Sequence, residues 1–245
     1  NNRVTAMHDL PKSVPHPSVT FVGAGPGAAA HLTLGAYRAL QQAEVVIHDR
    51  LVGPEIMALI PATARLVDVG KEGFGPSTKQ VEINAVLVAH ALTGARVVRL
   101  KGGDPGIFGR LDEEIEALEA NGLPYDILPG LTSATVAAAS IGQSLTKRGR
   151  NAALRIVTGH DMAGFAEQDW RGLARAGEVA AIYMGKKSAR FLQGRLMMHG
   201  ADPAQVVLDL MEHVHGASVA RAVGPQALIL PKDQAARWNA RSPSC

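Results

Sequence analysis

Short apolar runs alternate with helix-patterned segments over the first half of the chain, and this alternation restricts the fold more than any other feature. Each run is rich in valine, isoleucine or leucine and is followed by a polar or glycine-containing turn, as β-strands are. The five runs are Val19–Val22, Val45–Ile47, Leu66–Val69, Val97–Leu100 and Tyr125–Leu128. Apolar strands separated by helices form parallel sheets that helices cover on both faces. The sequence therefore predicts an α/β fold with a mainly parallel sheet.

Helical apolar spacing fills the intervals between these runs. The predicted helices cover Leu32–Gln42, Gln80–Leu92 and Glu113–Asn121, and Gly122 follows the last one as a C-terminal cap. The residues predicted to form the apolar face of the second helix are Val81, Ala85, Val88 and Leu92.

Pro129-Gly130 marks the predicted boundary between two α/β domains. The N-terminal domain is predicted over residues 18–128 and the C-terminal domain over residues 129–245. Residues 1–17 are polar and contain three prolines, so we expect a disordered leader there. The predicted elements of the second domain are helices Thr132–Ile141 and Ser188–His199 and strands Leu154–Thr158, Val179–Met184, Val206–Met211 and Ala227–Leu230.

Composition excludes several classes of protein. The net charge of +3 comes from dispersed lysines and arginines, and aromatic residues make up only 4% of the chain, so a nucleic-acid partner is not expected. Cys245 is the single cysteine, which excludes an internal disulfide framework and a cysteine-built metal site. The nine histidines lack ligand spacing, and we expect no metal. Without an apolar run of 18 residues, a cytoplasmic protein that does not enter a membrane is predicted.

Glycines and charged residues follow four of the predicted strands at the point where each strand ends. The glycine loop Gly23–Gly27 follows the first strand, Asp49 the second, Lys71 the third, and Gly102-Gly103-Asp104 the fourth. Ligands of open parallel sheets bind beyond the carboxyl ends of the strands. We therefore expect these four positions to border one binding site.

The first of these loops is ambiguous when it is read alone. Gly23–Ala28 fits the dinucleotide fingerprint and Asp49 lies near its acidic position, which leaves a nucleotide-dependent oxidoreductase open. However, Pro26 lacks the N–H that a pyrophosphate would accept from, and the following helix is predicted to begin only near Leu32.

The stretch Leu100–Arg110, which reads LKGGDPGIFGR, is more informative. Its paired glycines, Gly102 and Gly103, would let a ligand lie directly against peptide groups. Such a surface suits the adenosine and amino-acid ends of S-adenosylmethionine. A tight turn would explain Gly-Gly and Asp-Pro but not the residues Ile107–Arg110.

With this stretch, the chain resembles the uroporphyrinogen III C-methyltransferases of the tetrapyrrole methylase superfamily. Leu100–Arg110 and Asp49-Arg50 are the most specific matches. The further matching motifs, which follow in family order, are Asp49–Val52, Val69–Lys71, Ser77–Asn84, Pro129–Ala134, Leu145–Arg148, Thr158–His160 and Tyr183–Gly185.

The resemblance implies a fold, an activity and an assembly. The fold has two α/β domains, with a mainly parallel sheet in the first, a mixed sheet in the second, and the active site in the cleft between them. The activity is methylation of uroporphyrinogen III at C2 and C7 by S-adenosyl-L-methionine, which yields precorrin-2 and S-adenosyl-L-homocysteine. The assembly is a homodimer.

The resemblance also implies roles for individual residues. Asp49 matches the proton acceptor of the family and Lys71 its proton donor. Positions that match cofactor contacts are Pro26, Gly102, Gly103, Asp104, Ile107, Thr132, Ser133 and Met184. The substrate is a polycarboxylate, so cationic or polar contacts are expected. The positions expected to contact it are Arg50, Gln80, Lys101, Arg110, Lys147 and Arg148.

The chain departs from the family pattern at several positions, which leaves alternatives open. Ala28 stands where an aspartate is usual and Lys147 where a histidine is usual, and the segment after Asp202-Pro203 is short or divergent. The alternatives are another precorrin methyltransferase, a ribosomal-RNA methylase of the same superfamily, and a tetrapyrrole-binding protein without turnover. The use of the product in cobalamin, siroheme or haem d1 synthesis is also open.

Overall fold

A computed structural model of the protein describes residues 17–70, 80–140, 142–149, 151–159, 166–185 and 189–200. Most of the predicted leader, Lys71 and the two predicted strands beyond Gly200 lie outside these residues.

The N-terminal unit alternates strands and helices, and all five predicted strands are confirmed. Their order is β1 (Val19–Gly23), α1 (Leu34–Gln42), β2 (Val45–His48), α2 (Pro54–Met57), β3 (Arg65–Asp68), α3 (Gln80–Ala91), β4 (Val97–Lys101), α4 (Leu111–Glu119) and β5 (Tyr125–Leu128). The strands form one sheet in the order β3-β2-β4-β1-β5, and every neighbouring pair is parallel.

Helices cover both faces of this sheet because the central strands carry buried apolar residues on both sides. On one face, Val22 and Leu100 pack with Leu40 of α1. On the other face, Phe21 packs with Leu87 of α3, and Leu118 of α4 belongs to the same cluster. All of these side chains are buried, and the removal of this apolar surface from water is the main force that holds the layers together.

The chain reverses its winding between β1 and β4, which are neighbours in the sheet. After β1 it crosses to β2 through α1 on one face, whereas after β4 it crosses to β5 through α4 on the opposite face. The two connections diverge at the carboxyl ends of these strands and leave a crevice there, where open α/β sheets bind ligands.

Helix α1 begins well after the glycine loop, as the sequence predicts. Thr33 caps it, since the Thr33 hydroxyl accepts a hydrogen bond from the backbone N–H of Ala36 at 3.1 Å. A short 3₁₀ turn, Ala29–His31, separates the loop from this cap. The helix N-terminus is therefore not adjacent to the glycines, unlike the arrangement that binds pyrophosphate in dinucleotide folds.

The predicted apolar face of α3 is wrong for Val81, Ala85 and Leu92, which are exposed, whereas the fourth predicted residue, Val88, is partly buried against the core. Leu87 and Ala91 are the buried residues of the helix, whereas Val81 is 77% exposed and Leu92, just beyond the helix, is 63% exposed. The helix is apolar over most of its circumference, so periodicity alone identifies no single inner face. The packing partners decide it: the helix presents Leu87 and Ala91 to the sheet and to α4.

The second unit contains α5 (Ser133–Ser140), β6 (Arg155–Thr158), α6 (Trp170–Leu173), β7 (Ala180–Tyr183) and α7 (Ala189–Met198). Strands β6 and β7 pair in parallel, and the predictions for both are confirmed. A small core that contains Trp170, Ile182 and Leu192 joins β7 to α6 and α7. The predicted mixed sheet depends on strands beyond the described residues.

Replacement of Gly23 by alanine should destabilise the fold. A Cβ at this position would lie 2.4 Å from the backbone nitrogen of Gly130 and 2.8 Å from the carbonyl oxygen of Gly103. Backbone atoms cannot move aside as a flexible side chain can, so we expect a loss of about 1–3 kcal/mol in the free energy of unfolding. Urea denaturation of the Gly23→Ala variant measures it.

Gly194→Ala in α7 is the matched control. A Cβ at Gly194 would meet nothing within 4 Å, so alanine should leave stability unchanged or raise it by up to about 1 kcal/mol through helix propensity. Equal stability of the Gly23→Ala variant and the wild-type protein would contradict close packing of the glycine loops.

Candidate active site

Three loops meet backbone to backbone at the carboxyl ends of β1, β4 and β5. The N–H of Gly25 donates to the carbonyl of Gly103 at 3.1 Å, and the N–H of Gly103 donates back to Gly25 at 2.8 Å. Gly130, after β5, lies so close that a Cβ there would be 2.2 Å from the carbonyl oxygen of Gly103. Only glycines permit this approach, which brings the predicted loop of Pro26 together with Gly102-Gly103.

Gly103 presents its backbone to open space. It has a left-handed φ of +67°, and a Cβ built on it would meet no atom within 4 Å. Glycine adopts this conformation without the penalty that a side chain would incur. A peptide surface without a covering side chain is thus available next to the crevice, as the sequence predicts.

Asp104 ties two of the loops together. Its Oδ1 accepts a hydrogen bond from the N–H of Gly106 at 2.8 Å, and its Oδ2 accepts one from the N–H of Gly130 at 3.0 Å. The carboxylate therefore shapes the loops and fixes the position of the segment that leads to Thr132.

An apolar patch borders the glycine loops. Phe108 and Met184 are 44% and 40% exposed, and both have positive φ angles, of 51° and 54°. Residues other than glycine adopt such angles at a cost, and they cluster at ligand sites. The ring of Phe108 lies 5.4 Å from that of Tyr183, so the loop after β4 contacts the end of β7. Ile107 precedes Phe108 and is partly buried.

Hydroxyl groups connect α5 to the same strand. The hydroxyl of Tyr183 forms a hydrogen bond with that of Thr132 and accepts another from the backbone N–H of Ala134 at 3.2 Å. Thr132 and Ser133 lie at the start of α5 and are partly buried. The predicted cofactor contacts Thr132 and Met184 are thereby brought to one region, on either side of Tyr183.

A buried network of four charges lies on the face of the sheet that α3 and α4 cover. Arg99 is 1% exposed, and its guanidinium donates to Oδ1 of Asp49 at 2.8 Å and to Oε1 of Glu114 at 2.9 Å. The Nζ of Lys101 donates to the same Oε1 of Glu114 at 2.8 Å. Alternation along β4 puts Arg99 and Lys101 on one face, and Glu114 reaches them from the first turn of α4.

Burial and pairing with carboxylates shift the pKa values of Arg99 and Lys101 in opposite directions. Burial alone would lower the pKa of Arg99, but the carboxylates of Asp49 and Glu114 outweigh it and raise the pKa of the guanidinium. For Lys101, burial and then the charge of Arg99 lower the pKa of the ammonium, and Glu114 offsets this only in part. The carboxylates therefore outweigh the effect of burial on the pKa of Arg99 but not on that of Lys101.

The expected substrate contacts occupy different environments. Lys101, expected on the rim of the site, is instead 4% exposed and belongs to the buried network. Gln80 donates from its amide to Glu114 at 3.3 Å, so it also contacts the network. Arg110 is exposed and pairs with Glu113 at 2.7 Å. Arg50 is exposed directly after Asp49.

Lys147 and Arg148 are exposed in the segment between α5 and β6. The backbone N–H of Lys147 donates to the side-chain oxygen of Asn151 at 2.9 Å, which closes a turn and directs the chain toward β6. Lys71, the predicted proton donor, lies outside the described residues.

Sequence reasoning assigned no role to four residues of this region: Arg99, Glu114, Phe108 and Tyr183. One signal was available, because Arg99 interrupts an otherwise apolar central strand and a buried arginine requires an anionic partner. No comparable signal identified Glu114 among the four glutamates of α4. In the part of the chain that the structure describes, no cluster of three or more histidine, cysteine, aspartate or glutamate residues could hold a metal ion. No helix there is long and apolar enough to span a bilayer.

Comparison with known proteins identifies relatives in sequence. A siroheme synthase of Edwardsiella ictaluri (strain 93-146) is 47% identical over 185 residues, which are 76% of this chain and 40% of that protein. A uroporphyrinogen-III C-methyltransferase of Paracoccus denitrificans (strain Pd 1222) is 50% identical over 184 residues, 74% of this chain and 64% of that protein. The chain thus spans about two fifths of the siroheme synthases that it matches.

Structural comparison agrees with the sequence relatives. The crystal structure of uroporphyrin-III C-methyl transferase from Thermus thermophilus, complexed with S-adenyl homocysteine, superposes with a TM-score of 0.63 at 40% identity. The match covers 76% of this chain and 78% of that chain. Residues 18–224 also match the family model of tetrapyrrole (corrin/porphyrin) methylases. Because this match takes in both described units and all of the glycine loops that meet at the crevice, the chain belongs to the tetrapyrrole (corrin/porphyrin) methylase family.

Proposed function

We propose that this chain transfers methyl groups from S-adenosyl-L-methionine to C2 and C7 of uroporphyrinogen III, which yields precorrin-2 and S-adenosyl-L-homocysteine. The observation that carries the proposal is that an uncovered glycine surface, at Gly103, and a carboxylate held by Arg99, at Asp49, follow the ends of two neighbouring parallel strands, β4 and β2. Two relatives named for this activity share 40% and 50% of their aligned residues with the chain.

The residues around the glycine loops fit the cofactor chemically. Gly102 offers its peptide groups to polar atoms of the cofactor. Gly103, whose N–H already donates to Gly25, offers the second lone pair of its carbonyl oxygen, and Thr132 and Ser133 offer hydroxyl groups. Phe108 and Met184 provide exposed apolar surface for the adenine or the methionine chain. Pro26, Asp104 and Ile107 complete the proposed contacts. When bound, S-adenosylmethionine supplies a methyl group on a positively charged sulfur, which an electron-rich carbon can attack.

The protein's chemical task is to orient the substrate and to remove one proton. The pyrrole carbon of uroporphyrinogen III is already nucleophilic, so its alignment with the methyl carbon is the first requirement. After the new C–C bond forms and the C–S bond breaks, the charged tetrapyrrole must lose a proton. Asp49 is proposed to accept it. Its side chain is 26% exposed, and Arg99 holds Oδ1, which leaves Oδ2 as the proposed acceptor atom.

The buried network gives Asp49 a fixed orientation. Arg99 could not be buried without carboxylate partners, and Glu114 together with Asp49 supplies them. Rotation of the Asp49 carboxylate away from the site would break the bond at 2.8 Å and leave the guanidinium with a single anionic partner. Pre-organisation of a catalytic carboxylate by such neighbours lowers the reorganisation that the reaction requires.

Exposed cations are proposed to receive the carboxylates of the substrate. Arg50 and Arg110 are exposed near the ends of β2 and β4, and Lys147 and Arg148 are exposed before β6. Gln80 is proposed to act near the substrate through its contact with Glu114. We assign Lys101 to the support of Glu114, because its ammonium is already paired in the interior. Lys71 stays the proposed proton donor.

The wider setting is also a proposal. We propose a homodimer in the cytoplasm with no nucleic-acid partner, on the basis of the family resemblance and the modest net charge of +3. Another precorrin methyltransferase activity is the alternative, since the same fold and cofactor site would serve it. Incubation with uroporphyrinogen III and methyl-labelled cofactor, followed by mass spectrometry, distinguishes the two. The proposed activity adds two methyl groups to uroporphyrinogen III, whereas a methyltransferase specific for another precorrin adds none.

Asp49→Asn should abolish most turnover while it preserves cofactor binding. An amide cannot accept the proton, so we expect the rate of precorrin-2 formation to fall by about 100-fold or more. The affinity for S-adenosylhomocysteine, measured by calorimetry, should change less than about twofold.

Asp126→Asn provides the control, because Asp126 is an exposed carboxylate on β5. Its rate should equal that of the wild-type protein. Wild-type turnover in the Asp49→Asn variant would remove Asp49 from the proposed mechanism.

Glu114→Gln should destabilise the protein strongly, because it leaves Arg99 and Lys101 short of a buried negative charge. We expect the free energy of unfolding to fall by about 3–5 kcal/mol in urea denaturation at neutral pH.

Glu113→Gln is the control at the adjacent residue. Because the ion pair of Glu113 with Arg110 is exposed to solvent, this substitution should lower the free energy of unfolding much less. Equal losses from the two substitutions would show that the buried network does not stabilise the folded chain.

A further inference from the structure

We propose that Tyr183 is a positioning residue that directs the Thr132 hydroxyl as a hydrogen-bond donor toward an acceptor atom of the bound cofactor. The inference rests on the proposed function, since it deepens the assignment of the S-adenosylmethionine site. The acceptor would be a ring nitrogen of adenine, a ribose oxygen or the carboxylate of the methionine part. The three candidates share the ability to receive one O–H proton.

The contacts of Tyr183 cross from one part of the chain to another. Tyr183 is the last residue of β7, yet its hydroxyl lies at the start of α5, in contact with Thr132 and Ala134. The segment before α5 is fixed independently, because Asp104 accepts from the N–H of Gly130 at 3.0 Å. Thr132 is thus held between the glycine loops on one side and β7 on the other.

The direction of the hydrogen bonds follows from a count of protons. The backbone N–H of Ala134 can only donate, so the oxygen of Tyr183 accepts from it. One proton lies between the two hydroxyl oxygens. A phenol is a stronger acid and a weaker acceptor than an aliphatic alcohol, so Tyr183 donates and Thr132 accepts. The proton of Thr132 is then directed away from Tyr183 and is available to a ligand.

The ring of Tyr183 is held in place by its neighbours. Phe108 packs against it with 5.4 Å between ring centroids, and the planes of the two rings are tilted by 53° relative to each other. Met184, the next residue, has a φ of +54°, so the backbone turns sharply just after the tyrosine. Both neighbours are among the exposed apolar residues that border the glycine loops. The Tyr183–Thr132 pair therefore lies beside the surface proposed to receive the cofactor.

Removal of the Tyr183 hydroxyl should weaken cofactor binding and leave the rate of methyl transfer at saturating cofactor nearly unchanged. Tyr183→Phe keeps the ring and its packing but removes the proton that Thr132 accepts, so the Thr132 hydroxyl becomes free to rotate. We expect the dissociation constant for S-adenosylhomocysteine to rise roughly three- to tenfold, the worth of one hydrogen bond. At saturating cofactor, kcat with uroporphyrinogen III should change less than about twofold, whereas KM for the cofactor should rise with the dissociation constant.

Three further variants complete the calorimetric test. Thr132→Val removes the hydroxyl but keeps the shape, so it should weaken binding at least as much as Tyr183→Phe does. Thr132→Ser keeps the hydroxyl and should retain most of the affinity. The double variant Tyr183→Phe/Thr132→Val should bind no more weakly than Thr132→Val alone, because the two groups act through one hydrogen bond.

Tyr125→Phe is the matched control. Its hydroxyl donates to Glu119 at 3.0 Å and its ring packs on Phe21 at the opposite end of β5, so its loss should not alter cofactor binding. Thermal melts of all variants report on folding, and binding is compared only at temperatures where each is folded.

Distinct results would overturn the inference. Wild-type affinity in the Tyr183→Phe variant, or additive losses in the double variant, would show that Tyr183 does not act through Thr132. An equal loss in Thr132→Ser and Thr132→Val would exclude the hydroxyl as the interacting group. Failure of the wild-type protein to bind S-adenosylhomocysteine would instead refute the proposed function, and this inference with it.

Discussion

Direct contact between peptide backbones at the carboxyl ends of β1, β4 and β5 is the constraint on which the rest of this structure depends. Gly25 and Gly103 exchange two hydrogen bonds, and Gly23 and Gly130 approach so closely that neither could carry a side chain. These contacts occur where the winding of the sheet reverses, so they close the base of the crevice while they leave one face of Gly103 open. A backbone surface without covering side chains results, and a ligand can lie against it without the entropy loss of ordering long side chains.

The charged network imposes a second constraint, because its members are costly to bury singly. Arg99 and Glu114 are almost completely removed from water, and each is tolerated only because the other is present. Asp49 is the partly exposed member, at 26%, and the network therefore ends at the proposed site. A structural requirement of the interior thus orients Asp49, the partly exposed carboxylate of the network.

The sequence predicted the strands and the loops at their ends well, because both depend on local information. Apolar runs and glycine pairs are visible in the chain itself, and parallel strands necessarily present their carboxyl ends at one edge. The inner face of α3 was predicted wrongly, since its apolar residues surround the helix. Lys101 was expected on the rim of the site but lies in the interior, where it pairs with Glu114 of α4. The prediction failed because a lysine in a strand gives no indication in the sequence that a distant helix supplies a buried partner.

The sequence by itself determined the parallel sheet, the order of the glycine loops along the chain, and the resemblance that pointed to Asp49 and to the cofactor contacts. Only the tertiary structure decided which residues lie together: Arg99 with Asp49 and Glu114, and Tyr183 with Thr132 and Phe108. The physical reason is the range of the interactions. Strand and turn preferences act over a few neighbouring residues, whereas hydrogen bonds and ion pairs join distant groups, such as Thr132 and Tyr183, which are 51 positions apart in the chain.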